Sequence, residues 1–198
     1  MPDSKDDMHQ LIRSLQDPAC YDHAAGPIQL IETHISWVLL TGEVAYKIKK
    51  PLNLGFLDFS SLDKRLHACC DEVQLNRRLA PAIYLDVVPI TGTPAAPRVN
   101  GSVNGSGSGE TFEYAVKMRQ FPPDATLDRL DAEVGMTEQH VEAIAATLAR
   151  FHLEGCKRAA SDSPWGSPEK VWQPVAQNFA QIAPRLDAPA DLQQLDAL

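Results

Sequence analysis

The feature that most constrains the fold is a change of hydrophobic period between residues 44 and 73. Residues 44–49, Val-Ala-Tyr-Lys-Ile-Lys, have the two-residue period of a strand, which places Ala45, Lys47 and Lys49 on one face. After Pro51 the apolar residues recur at helical spacing, in a stripe made of Leu62, Leu66, Cys69 and Val73. The sequence therefore predicts a strand that ends before a proline, a loop, and a helix packed along one side.

Glu72 lies at the edge of this helical stripe. At about 100° per residue, its side chain is roughly 80–90° from the centre of the packed face. A strand lysine that faces a cleft can contact nucleotide phosphates when an acidic side chain holds it in place. We therefore expect Lys47 to contact phosphate and Glu72 to be its partner. Lys49 competes with Lys47 for this role, Asp71 competes with Glu72, and a solvent-exposed strand face without a ligand is the alternative.

Further strands are predicted on both sides of this segment. Residues 28–40 are rich in Ile, Val, Leu and Trp and precede Thr41-Gly42, so they predict one strand of a β-hairpin with residues 44–49. Residues 83–90 and 112–118 predict two more strands. Between them, residues 91–110 are rich in Gly, Ser, Pro and Asn, which predicts a flexible surface loop.

Helical patterns occupy the two ends of the chain. Residues 8–16 have apolar residues at helical spacing, and Thr137 is a predicted N-cap in the helical part that follows residue 122. Prolines recur from 164 to 189, which predicts only short helices there.

These elements predict an α+β fold in three parts. They are an N-terminal helical segment at 1–26, a strand-rich lobe at 27–121 and the start of a helical lobe at 122–198. The connector between the lobes consists of Met118, Arg119, Gln120 and Phe121. In a two-lobed arrangement its backbone groups would face the edge of an adenine ring, and a plain linker is the alternative.

Composition excludes several classes of protein. The 198 residues are 44% hydrophobic and 22% charged, as in globular proteins. A net charge of −8 argues against general nucleic-acid binding, although residues 44–80 carry seven basic against four acidic side chains. The four cysteines have no repeated C-x-x-C spacing, which argues against a zinc site or disulfide framework. The N-terminus has no apolar signal core and no stretch reaches membrane-spanning length, so we expect a cytoplasmic protein without a membrane partner.

Six segments within residues 27–180 carry a resemblance to a known family. They are His34-Ile35-Ser36-Trp37-Val38, Ala45-Tyr46-Lys47-Ile48-Lys49-Lys50-Pro51, Gly55-Phe56-Leu57-Asp58-Phe59, Glu72-Val73-Gln74-Leu75-Asn76, Tyr114-Ala115-Val116-Lys117-Met118-Arg119 and Leu148-Ala149-Arg150-Phe151-His152. In these segments the chain resembles the aminoglycoside-phosphotransferase-like branch of the protein-kinase fold. More narrowly, it is similar to bacterial proteins that join such a domain to a C-terminal P-loop ATPase.

The resemblance implies a two-lobed, protein-kinase-like fold that binds ATP and Mg²⁺ in its cleft and transfers phosphate to a hydroxyl of a small molecule. It implies that Lys47 contacts the phosphates, that Glu72 is its ion-pair partner, and that Ala45 and residues 118–121 lie in the cofactor site.

The chain departs from the family in its catalytic motif. No H-x-D motif followed by an asparagine occurs after Lys47, and no P-loop ATPase is present. We therefore expect the catalytic loop and metal ligands beyond the point where this chain ends, and no catalysis by the chain alone. The alternatives are a non-catalytic nucleotide-binding module and a structural or interaction domain.

Overall fold

The computed structural model describes residues 5–99, 110–157, 160–163 and 165–186. The chain divides into two compact units, Met1–Leu153 and Glu154–Leu198. The first unit holds a six-stranded antiparallel sheet together with helices, so the predicted α+β class is confirmed.

The sheet has the strand order β1-β2-β3-β6-β4-β5, and every neighbouring pair is antiparallel. The strands are β1 (Gln29–Glu32), β2 (Ser36–Leu40), β3 (Val44–Lys49), β4 (Tyr84–Thr93), β5 (Ala96–Val99) and β6 (Thr111–Arg119). The helices are α1 (Lys5–Ser14), α2 (Leu62–Asn76), α3 (Leu127–Glu133), α4 (Glu138–Arg150) and α5 (Pro168–Ile182), and a π-helical turn, Phe151–Gly155, follows α4. The predicted strand at 44–49 therefore lies beside β6 in the interior of the sheet.

The prediction of a single strand over residues 28–40 is wrong, because this segment is a hairpin formed by β1 and β2. No glycine or proline marks its turn. Instead, the Thr33 hydroxyl accepts the N–H groups of Ser36 at 2.9 Å and Ile35 at 3.3 Å. The predicted pairing with residues 44–49 is confirmed for β2, and the connecting turn has Gly42 at φ 108°.

The prediction of a flexible loop over residues 91–110 is wrong for residues 91–99, which hold the end of β4, a turn and β5. Strand β4 continues to Thr93, and β5 pairs back onto it as the edge strand of the sheet. Pro97 is compatible with this position because one side of an edge strand has no partner. Residues 100–109 of the predicted loop lie outside the described residues.

Helices cover the sheet on both faces. On one face, α1 and the residue that follows it contribute four buried side chains to a core that includes Tyr46 and Ile48 of β3: Met8, Leu11, Ile12 and Leu15. On the other, Cys69 and Val73 of α2 pack against Val87 and Val116. Because side chains alternate along a strand, the lysines of β3 point to the face that carries α2.

Helix α4 begins at its predicted cap, and α5 is longer than predicted. Thr137 caps α4 by accepting the N–H of His140 at 3.3 Å, as predicted. In the second unit, the prediction of only short helices is wrong for α5, which is 15 residues long. Pro168 lies in its first turn, where no N–H donor is needed, and Pro174 lies inside the helix. No helix in the described ranges is both long and apolar enough to cross a bilayer.

Candidate functional site

A pocket of about 760 Å³ lies in the first unit against strands β1, β2 and β3. Its remaining wall comes from the start of β4, the end of β6 and the connector after β6. The lining is mainly apolar, and its charged members are Lys47 and Arg119; the full set is Ile31, Thr33, Ile35, Ser36, Val38, Leu40, Ala45, Lys47, Ile83, Tyr84, Met118, Arg119, Gln120, Phe121 and Thr126. This volume is typical of small-molecule and cofactor sites.

Glu72 joins two lysines at one side of this pocket. Its Oε1 atom accepts a hydrogen bond from Lys47 Nζ at 2.8 Å, and its Oε2 atom accepts one from Lys49 Nζ at 2.7 Å. The Lys47 side chain is 26% exposed and lines the pocket, whereas that of Lys49 is 6% exposed. Asp71, the other predicted acidic candidate, is exposed. The predicted lysine and glutamate are thus in contact, and the competing lysine is a second partner.

The geometry follows from the local sequence. Lys47 and Lys49 are two residues apart on β3 and therefore point to the same face. Helix α2 starts at the N-cap Ser61, whose hydroxyl accepts the Lys64 N–H at 3.3 Å, and buries Cys69 and Val73 against the sheet. Glu72 immediately precedes Val73, so its side chain emerges beside the packed face.

The charges at this site are unequal. Burial of the Glu72 carboxylate opposes ionisation, but the hydrogen bonds and charges of Lys47 and Lys49 outweigh it and lower the pKa of Glu72. Two ammonium groups therefore share one carboxylate, which leaves one positive charge in excess. An anion that enters the pocket meets this excess charge at Lys47.

A buried ion pair that was not among the predicted site contacts fixes α2 on the sheet. Arg65 Nε lies 3.0 and 2.9 Å from the two carboxylate oxygens of Glu113 on β6. The Arg65 side chain also donates from Nη1 to the carbonyl oxygen of Phe59 at 3.1 Å. A signal was present: Arg65 follows Leu62 by three residues and precedes Cys69 by four, so it lies on the apolar stripe.

The connector also lines the pocket. The N–H of Arg119 donates to the Ile83 oxygen at 2.8 Å, and that of Gln120 donates to the Glu43 oxygen at 2.9 Å. Both donors are therefore engaged within the protein. Within the described residues the Phe121 N–H has no backbone acceptor, so it is the connector donor that remains for a ligand.

Most of the predicted site residues meet at this pocket. Six of them line it, namely Ala45, Lys47, Met118, Arg119, Gln120 and Phe121. Glu72 is outside the lining and contacts the site through Lys47. In the described part of the chain, no group of three or more His, Cys, Asp or Glu side chains is arranged to hold a metal ion, so no ligand for Mg²⁺ is assigned.

Comparison with known proteins finds mycobacterial relatives. The chain is 30% identical over 162 residues to an uncharacterized protein of Mycobacterium bovis and to uncharacterized proteins of two strains of Mycobacterium tuberculosis. The match covers 81% of this chain and 29% of each relative, so the chain spans less than a third of the length of these relatives. No protein-family profile matches the chain. No solved structure matches it either.

Proposed function

We propose that residues 27–121 form the nucleotide-binding lobe of a protein-kinase-like phosphotransferase of the aminoglycoside phosphotransferase type, which uses ATP to phosphorylate a small-molecule hydroxyl. The observation that carries the proposal is the contact between Lys47 and Glu72 at the edge of an apolar pocket. In phosphoryl transfer, a lysine held by a glutamate positions the nucleotide phosphates.

Two kinds of lining residue support the binding of a nucleotide. Lys47 supplies a cation that would neutralise a triphosphate. Ala45, Met118 and Phe121 supply apolar surface for a base, and the Phe121 N–H is a donor for its edge. The residues present therefore fit ATP, which when bound would supply the phosphoryl group.

The remaining parts of the activity are proposed for longer proteins. In this sequence no H-x-D motif followed by asparagine occurs after Lys47. The relatives extend over more than three times the matched length, since the match covers 29% of each. We place the proton acceptor, the Mg²⁺ ligands, the acceptor pocket and any P-loop ATPase partner in such additional sequence.

Nucleotide titration tests the proposal. We expect the chain to bind a fluorescent ATP analogue in the presence of Mg²⁺, and Lys47→Met to weaken binding by about tenfold or more, because a charge-assisted hydrogen bond is lost. Lys64→Met is the matched control, since Lys64 pairs with Asp58 on the surface at 2.5 Å and does not line the pocket.

Three results would contradict parts of this assignment. Failure of the wild-type chain to bind would favour the structural or interaction domain. Equal affinity of wild type and Lys47→Met would place the nucleotide elsewhere. We expect no transfer from radiolabelled ATP to hydroxyl compounds by this chain; transfer that Lys47→Ala abolishes would show that the chain supplies its own catalytic base.

A further inference from the structure

We propose that Tyr84 is a further ligand-binding residue, whose phenol hydroxyl donates a hydrogen bond to the phosphate that Lys47 contacts. This inference rests on the proposed nucleotide-binding function and adds a neutral donor to its phosphate site. The contact between Lys47 and Glu72 stays as the structure shows it. An ammonium group has three N–H donors, and one of those on Lys47 bonds Glu72, so Lys47 can contact a phosphate at the same time.

The register of the sheet places Tyr84 on the same face as Lys47. Met118 of β6 pairs with Ala45 of β3 on one side and with Tyr84 of β4 on the other. Residues paired directly across antiparallel strands have their side chains on one face, and Ala45 and Lys47 share a face of β3. Both Tyr84 and Lys47 line the pocket. The two side chains therefore project toward the same site.

Apolar contacts hold the Tyr84 ring. It is partly buried and packs against a cluster that contains Cys69 and Val73 of α2 together with Val87 and Val116 of the sheet. A tyrosine side chain has only two torsions, so a packed ring also fixes its hydroxyl. The Tyr84 hydroxyl is thus a positioned polar group at the wall of a mainly apolar pocket.

No hydrogen-bond acceptor for the Tyr84 hydroxyl occurs among the described residues. By contrast, the Tyr21 hydroxyl donates to the Leu15 carbonyl oxygen at 2.7 Å. A tyrosine hydroxyl away from bulk water usually has a partner, which a ligand can supply. A hydroxyl without a partner is not sufficient by itself, because within the described ranges Tyr114 has one too, and Tyr114 does not line the pocket. What distinguishes Tyr84 is its place in the pocket with Lys47.

The charges near Tyr84 leave its hydroxyl as a donor. Burial raises the pKa of the phenol above its ordinary value and Glu72 raises it further, while Lys47 lowers it by less. The phenol is therefore protonated at neutral pH. The Glu72 oxygens already accept hydrogen bonds from Lys47 and Lys49 at 2.8 and 2.7 Å. The phenol proton remains for an anion that joins Lys47.

Calorimetric titration with MgATP, inorganic triphosphate and adenosine tests the inference. We expect Tyr84→Phe to bind MgATP and triphosphate about tenfold more weakly than wild type, because a hydrogen bond to a charged group is lost. Adenosine has no phosphate, so its affinity should not change. Tyr114→Phe is the matched control, because it removes a hydroxyl from the same face of the sheet outside the pocket, and it should bind as wild type does.

Two further measurements address the hydroxyl directly. Without ligand, Tyr84→Phe should keep the urea midpoint of wild type, whereas Tyr21→Phe should lower it, because only Tyr21 loses a hydrogen bond. The chain has four tyrosines, so ζ-carbon labelling gives four NMR signals that Tyr→Phe variants can assign. Triphosphate should shift the Tyr84 signal and leave that of Tyr21 in place.

The outcomes separate this inference from the proposed function. Equal triphosphate affinity of wild type and Tyr84→Phe, or a Tyr84 signal that does not shift at saturation, would overturn the role of Tyr84 and leave the nucleotide proposal standing. A lower urea midpoint for Tyr84→Phe would also overturn that role, because the hydroxyl would then be bonded within the protein.

The proposed function can fail on its own. Triphosphate binding that depends on Tyr84, with ATP bound no more tightly than triphosphate, would overturn the nucleotide proposal and keep Tyr84 as an anion contact. Failure of wild type to bind either compound would overturn both.

Discussion

Arg65 of α2 and Glu113 of β6 form an ion pair in which the two side chains are 1% and 0% exposed. The pair links the helix that carries Glu72 to the strand that leads into the connector. Arg65 also holds the carbonyl oxygen of Phe59, next to the ring beneath Lys49. The depth and orientation of α2, and hence the position of Glu72, depend on this contact.

Removal of one partner from this pair should be strongly destabilising. We expect Arg65→Met and Glu113→Leu each to lower the free energy of unfolding by about 3–5 kcal/mol, because each removes the counterion of a buried charge. In the double variant Arg65→Met/Glu113→Leu, we expect recovery of much of this loss. Urea denaturation of the four proteins measures the coupling. Additive losses would show that the two side chains do not interact.

Glu72→Gln should destabilise the fold less than a change in the Arg65–Glu113 pair. The substitution leaves the nearly buried Lys49 beside a neutral amide, whereas Lys47 is about a quarter exposed and recovers hydration. We therefore expect the free energy of unfolding to fall by roughly 1–3 kcal/mol. Glu32→Gln is the control, because Glu32 is exposed and pairs with Lys50 on the surface. An equal effect of both substitutions in urea denaturation would contradict the stabilising role of Glu72.

The effect of Glu72→Gln should also depend on pH. The pKa of Glu72 in the folded protein lies below its ordinary value of 4.5, so the folded state favours the ionised carboxylate. The stability difference between wild type and variant is therefore fully present above pH 4.5 and shrinks as the pH falls below it. Urea midpoints measured across this range provide the check, and a difference that grows on acidification would exclude this linkage.

Two glycines with positive φ should differ in their tolerance of alanine. Gly42 and Gly92 have φ of 108° and 93°, so each alanine variant carries backbone strain of about 1–3 kcal/mol. At Gly42 the new Cβ meets no atom within 4 Å, whereas at Gly92 it would lie 2.4 Å from the Ala96 oxygen. We expect Gly92→Ala to have the lower melting temperature. The reverse order would contradict the tight turn between β4 and β5.

The adjacent cysteines should react very differently with thiol reagents. Cys70 is exposed, whereas Cys69 is completely buried and burial raises its pKa to about 12. We expect iodoacetamide at pH 8 to label the native protein at Cys70 and to spare Cys69. Mass spectrometry of the α2 peptide from Cys70→Ser should then show no rapid label, and the peptide from Cys69→Ala should show it. Rapid label in Cys70→Ser would mean that α2 leaves the sheet.

Part of this site could be predicted because it follows from simple periods. The two-residue period placed Lys47 and Lys49 on one face of their strand. The helical stripe placed Glu72 at the edge of the packed face of the following helix. The sequence could not distinguish one lysine from the other, because both satisfy the same alternation. Their difference comes from depth: Phe59 covers Lys49, and the pocket opens beside Lys47.

Other parts could not be predicted because side chains replace the usual local signals. The turn of the β1–β2 hairpin is closed by the Thr33 hydroxyl, without glycine or proline. Strand β5 contains Pro97, which argues against a strand in the sequence and is tolerated here because β5 is an edge strand. The position of Arg65 on the apolar stripe shows that it is buried but not which residue it pairs with, because only tertiary structure brings it to Glu113, 48 residues away.

The packing of α1 limits how the protein can be produced. Met8, Leu11, Ile12 and Leu15 are buried in the same core as Trp37 and Leu39. Expression from a start codon after residue 17 would remove these four residues and expose to water the apolar side chains that they cover, Trp37 and Leu39 among them. We expect such a shortened protein to aggregate. An affinity tag at the N-terminus therefore needs a spacer ahead of the first helix, and its proteolytic removal should stop before that helix begins.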